Sequence, residues 1–109
     1  MGMTAVSELP APIQEFIDAT NRGDTEALLA AFAEDAYLSD WGRVFNGHAG
    51  IANWNQTDNI GKQAHFDLVS FREVEGGYGV TLKVSGNGYN GTGEMIFTLA
   101  GEKIARLVI

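Results

Sequence analysis

Residues 36–54 read AYLSDWGRVFNGHAGIANW, and this run carries the chain from helix into sheet and back into helix. Over residues 36–41 the two-residue period of a strand puts Leu38 and Asp40 on one face and Tyr37, Ser39 and Trp41 on the other. If the Leu38 face packs inward, the Asp40 carboxyl goes with it. Burying a carboxylate is costly unless it is paired, hydrogen-bonded or neutralised, so Asp40 marks the candidate site. Gly42-Arg43 then reads as a tight turn into a short strand at 44–46, and Gly47 breaks that strand. Residues 48 to about 60 form a third helix with Ile51 and Trp54 on its buried side, although its polar second half, NQTDN, is weakly helical.

Upstream, Pro10 and Pro12 punctuate the entry to a first helix, in which Ile13, Phe16, Ile17 and Thr20 follow the i, i+3, i+4, i+7 rule of one apolar stripe. Asn21-Arg22-Gly23-Asp24 supplies a stop, a turn and an N-cap, and residues 27–33 give a second helix burying Leu28, Leu29 and Phe32. Residues 1–9 read as an N-terminal tail, with 10–109 as a single domain. From Gln63 the period changes to two, with strands at 65–74, 78–85, 91–99 and 103–109 and hairpin turns at Gly76-Gly77 and Gly101-Glu102. Helices followed by strands with short connections predict an α+β domain with a mainly antiparallel sheet. Glycine at its turns and bends lets such a sheet curl around the helices, leaving a cone-shaped cavity.

A formal charge of −7 argues against nucleic acid and anionic membrane surfaces, which attract Lys and Arg. Two Trp, three Tyr and six Phe suit a small apolar partner better. The chain has no cysteine, which removes disulfides, thiolate nucleophiles and Cys-ligated zinc together. No basic-then-apolar leader is visible, and the longest apolar run, 27–33, is too short to span a bilayer, so a soluble cytoplasmic protein is expected. His48, His65, Asp40, Asp58 and Asp67 show no metal-ligand spacing, and no metal or cofactor is expected. Residues 86–91 spell G-x-G-x-x-G, but a strand follows instead of a helix, so no helix N-terminus waits for a pyrophosphate. His48 reads as a partly exposed residue at the start of the third helix. Arg72, Lys83 and Arg106 are scattered along strands, a pattern that suits balancing surface acids or an oligomer interface better than binding phosphate.

The segment order, the N-x-G-D turn, a second helix ending AFAEDA, a first strand ending in Asp, a Gly-x-x-x-Ile helix opening and a G-x-K-I turn between the last strands resemble the nuclear transport factor 2-like superfamily. The likeness covers nearly the whole chain and points to the SnoaL-like polyketide cyclase and ketosteroid isomerase branches. It implies a cone of N-terminal helices packed against a strongly curved sheet, and commonly a homodimer. In the isomerases an aspartate closing this strand removes a proton next to a ketone, and Asp40 matches it. Trp54 falls where the family puts an aromatic on the cavity side of the third helix. The spacing from Asp40 to Gly47 is shorter than in the isomerases, so the intervening hairpin is trimmed.

Two departures bear on activity. The isomerases stabilise the enolate oxygen with a tyrosine and a protonated aspartic acid. Here Phe16 takes the tyrosine's place and Met95 that of the acid. Losing one oxyanion donor costs about 3 kcal/mol, so steroid isomerisation is not expected. SnoaL-type cyclases rely on one acid to move protons, and the resemblance implies that reading survives. Replacement donors are available in Trp54 or Trp41, Tyr37 or Tyr89, and His48 or His65.

The expectation is therefore a binder of a small apolar or aromatic carbonyl compound, with Asp40 as general acid or base and Phe16, Trp54, His65, Tyr37 and Met95 shaping the pocket. Against it stands an Asp40 that only caps the turn at Gly42 or pairs with Arg43, which would leave a non-catalytic ligand-binding or dimerisation module.

Overall fold

The computed structural model describes residues 8–109, so most of the tail expected at 1–9 lies outside the described residues. Helix α1 (Ala11–Arg22) opens on Pro10 with proline in its first turn and buries Ile13, Phe16, Ile17, Ala19 and Thr20, the stripe expected from their spacing. It ends at Gly23, whose φ of 72° is open to a residue without a Cβ, and the Asp24 N–H reaches back 2.9 Å to the Ala19 carbonyl. The Asp24 carboxylate then caps helix α2 (Thr25–Ala30) by accepting the Ala27 N–H at 3.1 Å.

The second helix stops three residues earlier than its apolar run suggests. Strand β1 (Phe32–Asp40) takes Phe32 and Ala33, because the last strand offers them a partner. Phe32 pairs with Ile104, and the Ile104 N–H donates 2.9 Å to the Ala31 carbonyl. An apolar run alone does not distinguish a helix from a buried strand. Phe32 and Leu28 are buried as expected, whereas Leu29 is half-buried.

Strand β2 (Arg43–Asn46) folds back antiparallel on β1, and α3 (Gly47–Asp58) follows directly, leading to a single 3-10 turn at Ile60–Lys62. Strands β3 (His65–Val74), β4 (Gly77–Ser85), β5 (Gly91–Ala100) and β6 (Lys103–Val108) complete one six-stranded sheet in the order β2-β1-β6-β5-β4-β3. Every neighbouring pair is antiparallel except β1 with β6, which run parallel with Leu38 opposite Leu107. Pairing shifts between Leu68 and Ser70 in β3 and between Thr98 and Leu99 against β6, and such shifts let a sheet bend around what it covers.

The core lies between the helices and the inner sheet face. Phe16 sits at its centre with no exposed surface, its ring 5.6 Å from Phe66, 5.5 Å from Phe97, 5.8 Å from Phe32 and 6.3 Å from Trp54 between centroids. A polar ladder binds the helices to one another. Asn59 Nδ2 donates to the Thr20 hydroxyl and to Asn55 Oδ1, both at 3.0 Å, and Asn55 Nδ2 donates to the Thr25 hydroxyl at 3.0 Å. Among the described residues no helix is long and apolar enough to cross a membrane.

Candidate functional site

Asp40 closes β1 on the same face as Ala36 and Leu38, both fully buried, and its side chain is 14% exposed. The strand's alternation thus carries the carboxyl inward, as the sequence implies. Its Oδ2 accepts two hydrogen bonds, from the Trp54 indole Nε1 at 2.9 Å and from Arg43 Nη2 at 3.2 Å. Arg43 is itself anchored to Asp58, with Nη1 at 3.3 Å and Nη2 at 3.1 Å from its two oxygens. Burial pushes the Asp58 carboxyl up, but the Thr57 hydroxyl at 2.6 Å, the Arg43 guanidinium and the Lys62 charge together outweigh it and hold the group below the ordinary aspartate range. Arg43 is raised in turn, chiefly by its hydrogen bond to Asp58.

No hydrogen bond among the described residues reaches Asp40 Oδ1, and no buried side-chain oxygen or nitrogen lacks a partner, so Oδ1 is an accessible atom. Asp40 forms part of the wall of a hollow of about 720 Å³ between α3 and the sheet. Trp54, Phe66, Val84, Met95 and Ile109 supply apolar surface. Arg43, Asp58, Lys62 and Glu94 supply charge, so the wall is more polar than the composition suggests. Gly93 helps to keep the space open, since a Cβ built on it would meet nothing within 4 Å.

The family model for the SnoaL-like domain matches residues 13–107. This chain belongs to the SnoaL-like domain family. Its fold is that of the nuclear transport factor 2-like cone, and solved structures repeat it. A candidate polyketide cyclase from Sinorhizobium meliloti is 29% identical, with 92% of this SnoaL-like chain and 94% of that one covered at a TM-score of 0.84. A second candidate polyketide cyclase, from Xanthomonas campestris pv. campestris, is 26% identical over 89% and 84% of the two chains, at a TM-score of 0.73. The delta 5-3-ketosteroid isomerase from Mycobacterium sp. is 18% identical over 94% and 92%, and its TM-score of 0.76 speaks for the fold alone. No curated protein matches the chain.

Of the residues the sequence singles out in this SnoaL-like domain, Asp40, Trp54 and Met95 meet at the hollow, and Trp41 and Tyr89 of the replacement donors line it too. Four others lie outside its wall. Phe16 is sealed one layer back, stacked behind Trp54 and Phe66. Tyr37 points to the opposite face of β1, as its parity requires, with the Arg106 guanidinium 4.3 Å above its ring. His65 stands on the outward parity of β3, half exposed and 3.4 Å from Asp67, while its neighbour Phe66 turns inward. His48 Nε2 lies 2.9 Å from the Phe32 carbonyl, tying the start of α3 to β1.

Sequence reading missed Thr57, Asp58 and Lys62 as parts of the wall. The available signal was spacing: Trp54, Thr57 and Asp58 stand at i, i+3 and i+4 and share one face of α3. The pairing of Asp40 with Arg43, weighed against a catalytic role, is present together with the opening onto the hollow. Among the described residues no three of His, Cys, Asp and Glu gather as a metal-binding group.

Proposed function

We propose that this SnoaL-like domain binds a small carbonyl compound in the hollow and moves a proton beside the carbonyl with Asp40 as general acid or base. The observation that carries the reading is the division of labour on one carboxyl group. Oδ2 is fixed by Trp54 and Arg43, while Oδ1 accepts no hydrogen bond among the described residues, on a side chain that borders the space a ligand would fill. A base held in a set orientation within reach of a bound carbon acid is the geometry that proton abstraction requires.

The oxyanion that develops needs a donor. The Trp54 N–H is spent on Asp40, His48 Nε2 is engaged at Phe32, and Tyr37 and His65 are outside the wall. Lys62, Tyr89 and the Trp41 indole remain, all lining the hollow. Phe16 and Met95 offer neither of the two donors of the steroid isomerases, which favours cyclase-type or other single-acid proton transfer.

The test is exchange of the proton next to the carbonyl of an aromatic methyl ketone, followed by NMR in deuterated water. Asp40→Asn keeps the shape and removes the base, and the enzyme-dependent rate should fall at least about 100-fold. An unchanged rate would remove Asp40 from the chemistry. The pairing of Asp40 with Arg43 favours one competing reading, a ligand-binding or dimerisation module in which the acid is a strut. Ketone binding by both wild type and Asp40→Asn, with exchange by neither, is its signature.

We also propose a homodimer in the cytoplasm. Leu68 is 44% and Val69 58% exposed on β3, one of the two edge strands of the sheet, which suits a contact between copies. A monomer by light scattering at micromolar concentration would overturn the dimer, and cell fractionation tests the compartment.

A further inference from the structure

The turn between β1 and β2 holds a residue that local backbone preference disfavours. Trp41 has φ 53° and Gly42 φ 86°, so both central residues of this two-residue hairpin are left-handed. Turns of that kind favour Asn, Asp or Gly at the first position, since a side chain there crowds the backbone. Tryptophan recovers nothing by burial. It is 83% exposed, the highest value for a large apolar side chain among the described residues.

Its position accounts for it better than its packing does. Trp41 lines the hollow immediately after Asp40, and its backbone N–H donates 3.2 Å to the Ile109 carbonyl, fixing the turn to the end of β6. Tyr89, 58% exposed, lines the same hollow from the unrelated connection between β4 and β5. The two large aromatic side chains that stand most open to water therefore both border one cavity.

We infer that Trp41 and Tyr89 form an aromatic clamp at the mouth of the Asp40 hollow, selecting a flat conjugated or aromatic ring as the body of the ligand. This rests on the hollow being a ligand site, and it names the ligand's shape and the residues that read it. A planar ring between an indole and a phenol gains stacking that a puckered ring of the same bulk does not. The strained tryptophan is kept for that contact, in the way that functional positions retain unfavourable backbone elsewhere.

Trp41→Asn turns the loop into Asn-Gly, the dipeptide this turn prefers, so folding and recognition are expected to move in opposite directions. The melting temperature should rise by a few degrees. Binding of 2-acetylnaphthalene, measured by calorimetry, should weaken about tenfold, while binding of cyclohexyl methyl ketone should stay within about twofold of wild type. Trp41→Tyr should restore most of the naphthyl affinity. Equal affinity of wild type and Trp41→Asn for the naphthyl ketone overturns the clamp and leaves the cavity reading standing. If wild type binds neither ketone, or if Gly93→Leu, which fills the hollow, binds both as wild type does, the cavity reading fails and the clamp with it. A ligand-free blue shift of Trp41 emission that grows with protein concentration would mean that a second copy covers this residue, and would also overturn the clamp.

Discussion

The Trp54 indole N–H and the Asp40 carboxylate meet at 2.9 Å across the seam between α3 and β1, and this one contact joins the helix layer to the end of the strand that carries the candidate base. A hydrogen bond to a charged acceptor in a nearly enclosed place is among the stronger kinds. It sets the direction of the carboxyl group as well as its energy. Trp54→Phe keeps most of the apolar contact with Phe16 and deletes only the donor. The expected loss is about 1.5–3 kcal/mol of folding stability in urea titration. Proton exchange should fall more than ketone binding does, because the base is left less well aimed.

Arg43 and Asp58 form a second brace behind Asp40, and its pH dependence follows from the depressed Asp58 carboxyl. A group whose folded pKa lies below its unfolded value contributes stability above the ordinary aspartate value of 3.8 and loses it as the pH falls through the folded value. Asp58→Asn should therefore be less stable than wild type near about pH 7, and the two should converge near about pH 2. Denaturant midpoints at the two pH values check this. A gap that persists in acid would mean that Asp58 acts through packing or its Thr57 bond and not through charge.

The hollow should be open to filling at Gly93. This residue pairs with Leu82 on β4, has an ordinary backbone and leaves its Cβ position empty. Gly93→Leu should fold with an unchanged or slightly higher melting temperature, since it adds apolar contact and removes backbone freedom from the unfolded chain. Loss of ketone binding in a stable variant is the expected outcome. Undiminished binding would place the ligand elsewhere.

The polar end of α3 is where stability hides. Asn55 and Asn59 are each 1% exposed and hold Thr25 and Thr20 across to the first two helices. Asn59→Ala strands the Thr20 hydroxyl in a dry place and leaves Asn55 Oδ1 only the Ile60 N–H at 3.3 Å, at a cost of about 1–3 kcal/mol in urea titration. Asn55→Ala should cost a similar amount, and the double variant less than the sum, because the two belong to one network.

These residues also mark what was legible in the chain. The period-two pattern after Gln63 and the parity of Leu38 and Asp40 determined the sheet and the inward carboxyl, since alternation reports a face directly. The same logic had nothing to say about Asn55-Gln56-Thr57-Asp58-Asn59, whose polarity reads as solvent exposure although two of its members are enclosed by hydrogen bonds made to other helices. Residues 27–33 posed the opposite difficulty. Their apolar character is common to helix and buried strand, and a partner strand some seventy positions later, at Ile104, decides where the helix stops. The polar side of the hollow stayed hidden for a related reason, because Arg43, Asp58 and Lys62 are brought together only when α3 folds over β2.

Phe16 offers the sharpest test of how this SnoaL-like domain differs from what its resemblance to the steroid isomerases implies. The resemblance puts it where those enzymes carry a tyrosine, so Phe16→Tyr is the natural attempt to restore a donor. Here the ring is fully enclosed, with Phe32, Phe66, Phe97 and Trp54 around it, and it lies outside the cavity wall. A hydroxyl added to it enters a buried apolar core. Phe16→Tyr should lower folding stability by about 1–3 kcal/mol, the cost of burying an unpaired polar group, and should leave proton exchange no faster. A variant as stable as wild type with a faster exchange rate would show that the ring reaches the hollow after all. The departure at Phe16 would then be a missing catalytic group, and not the centre of a rebuilt core.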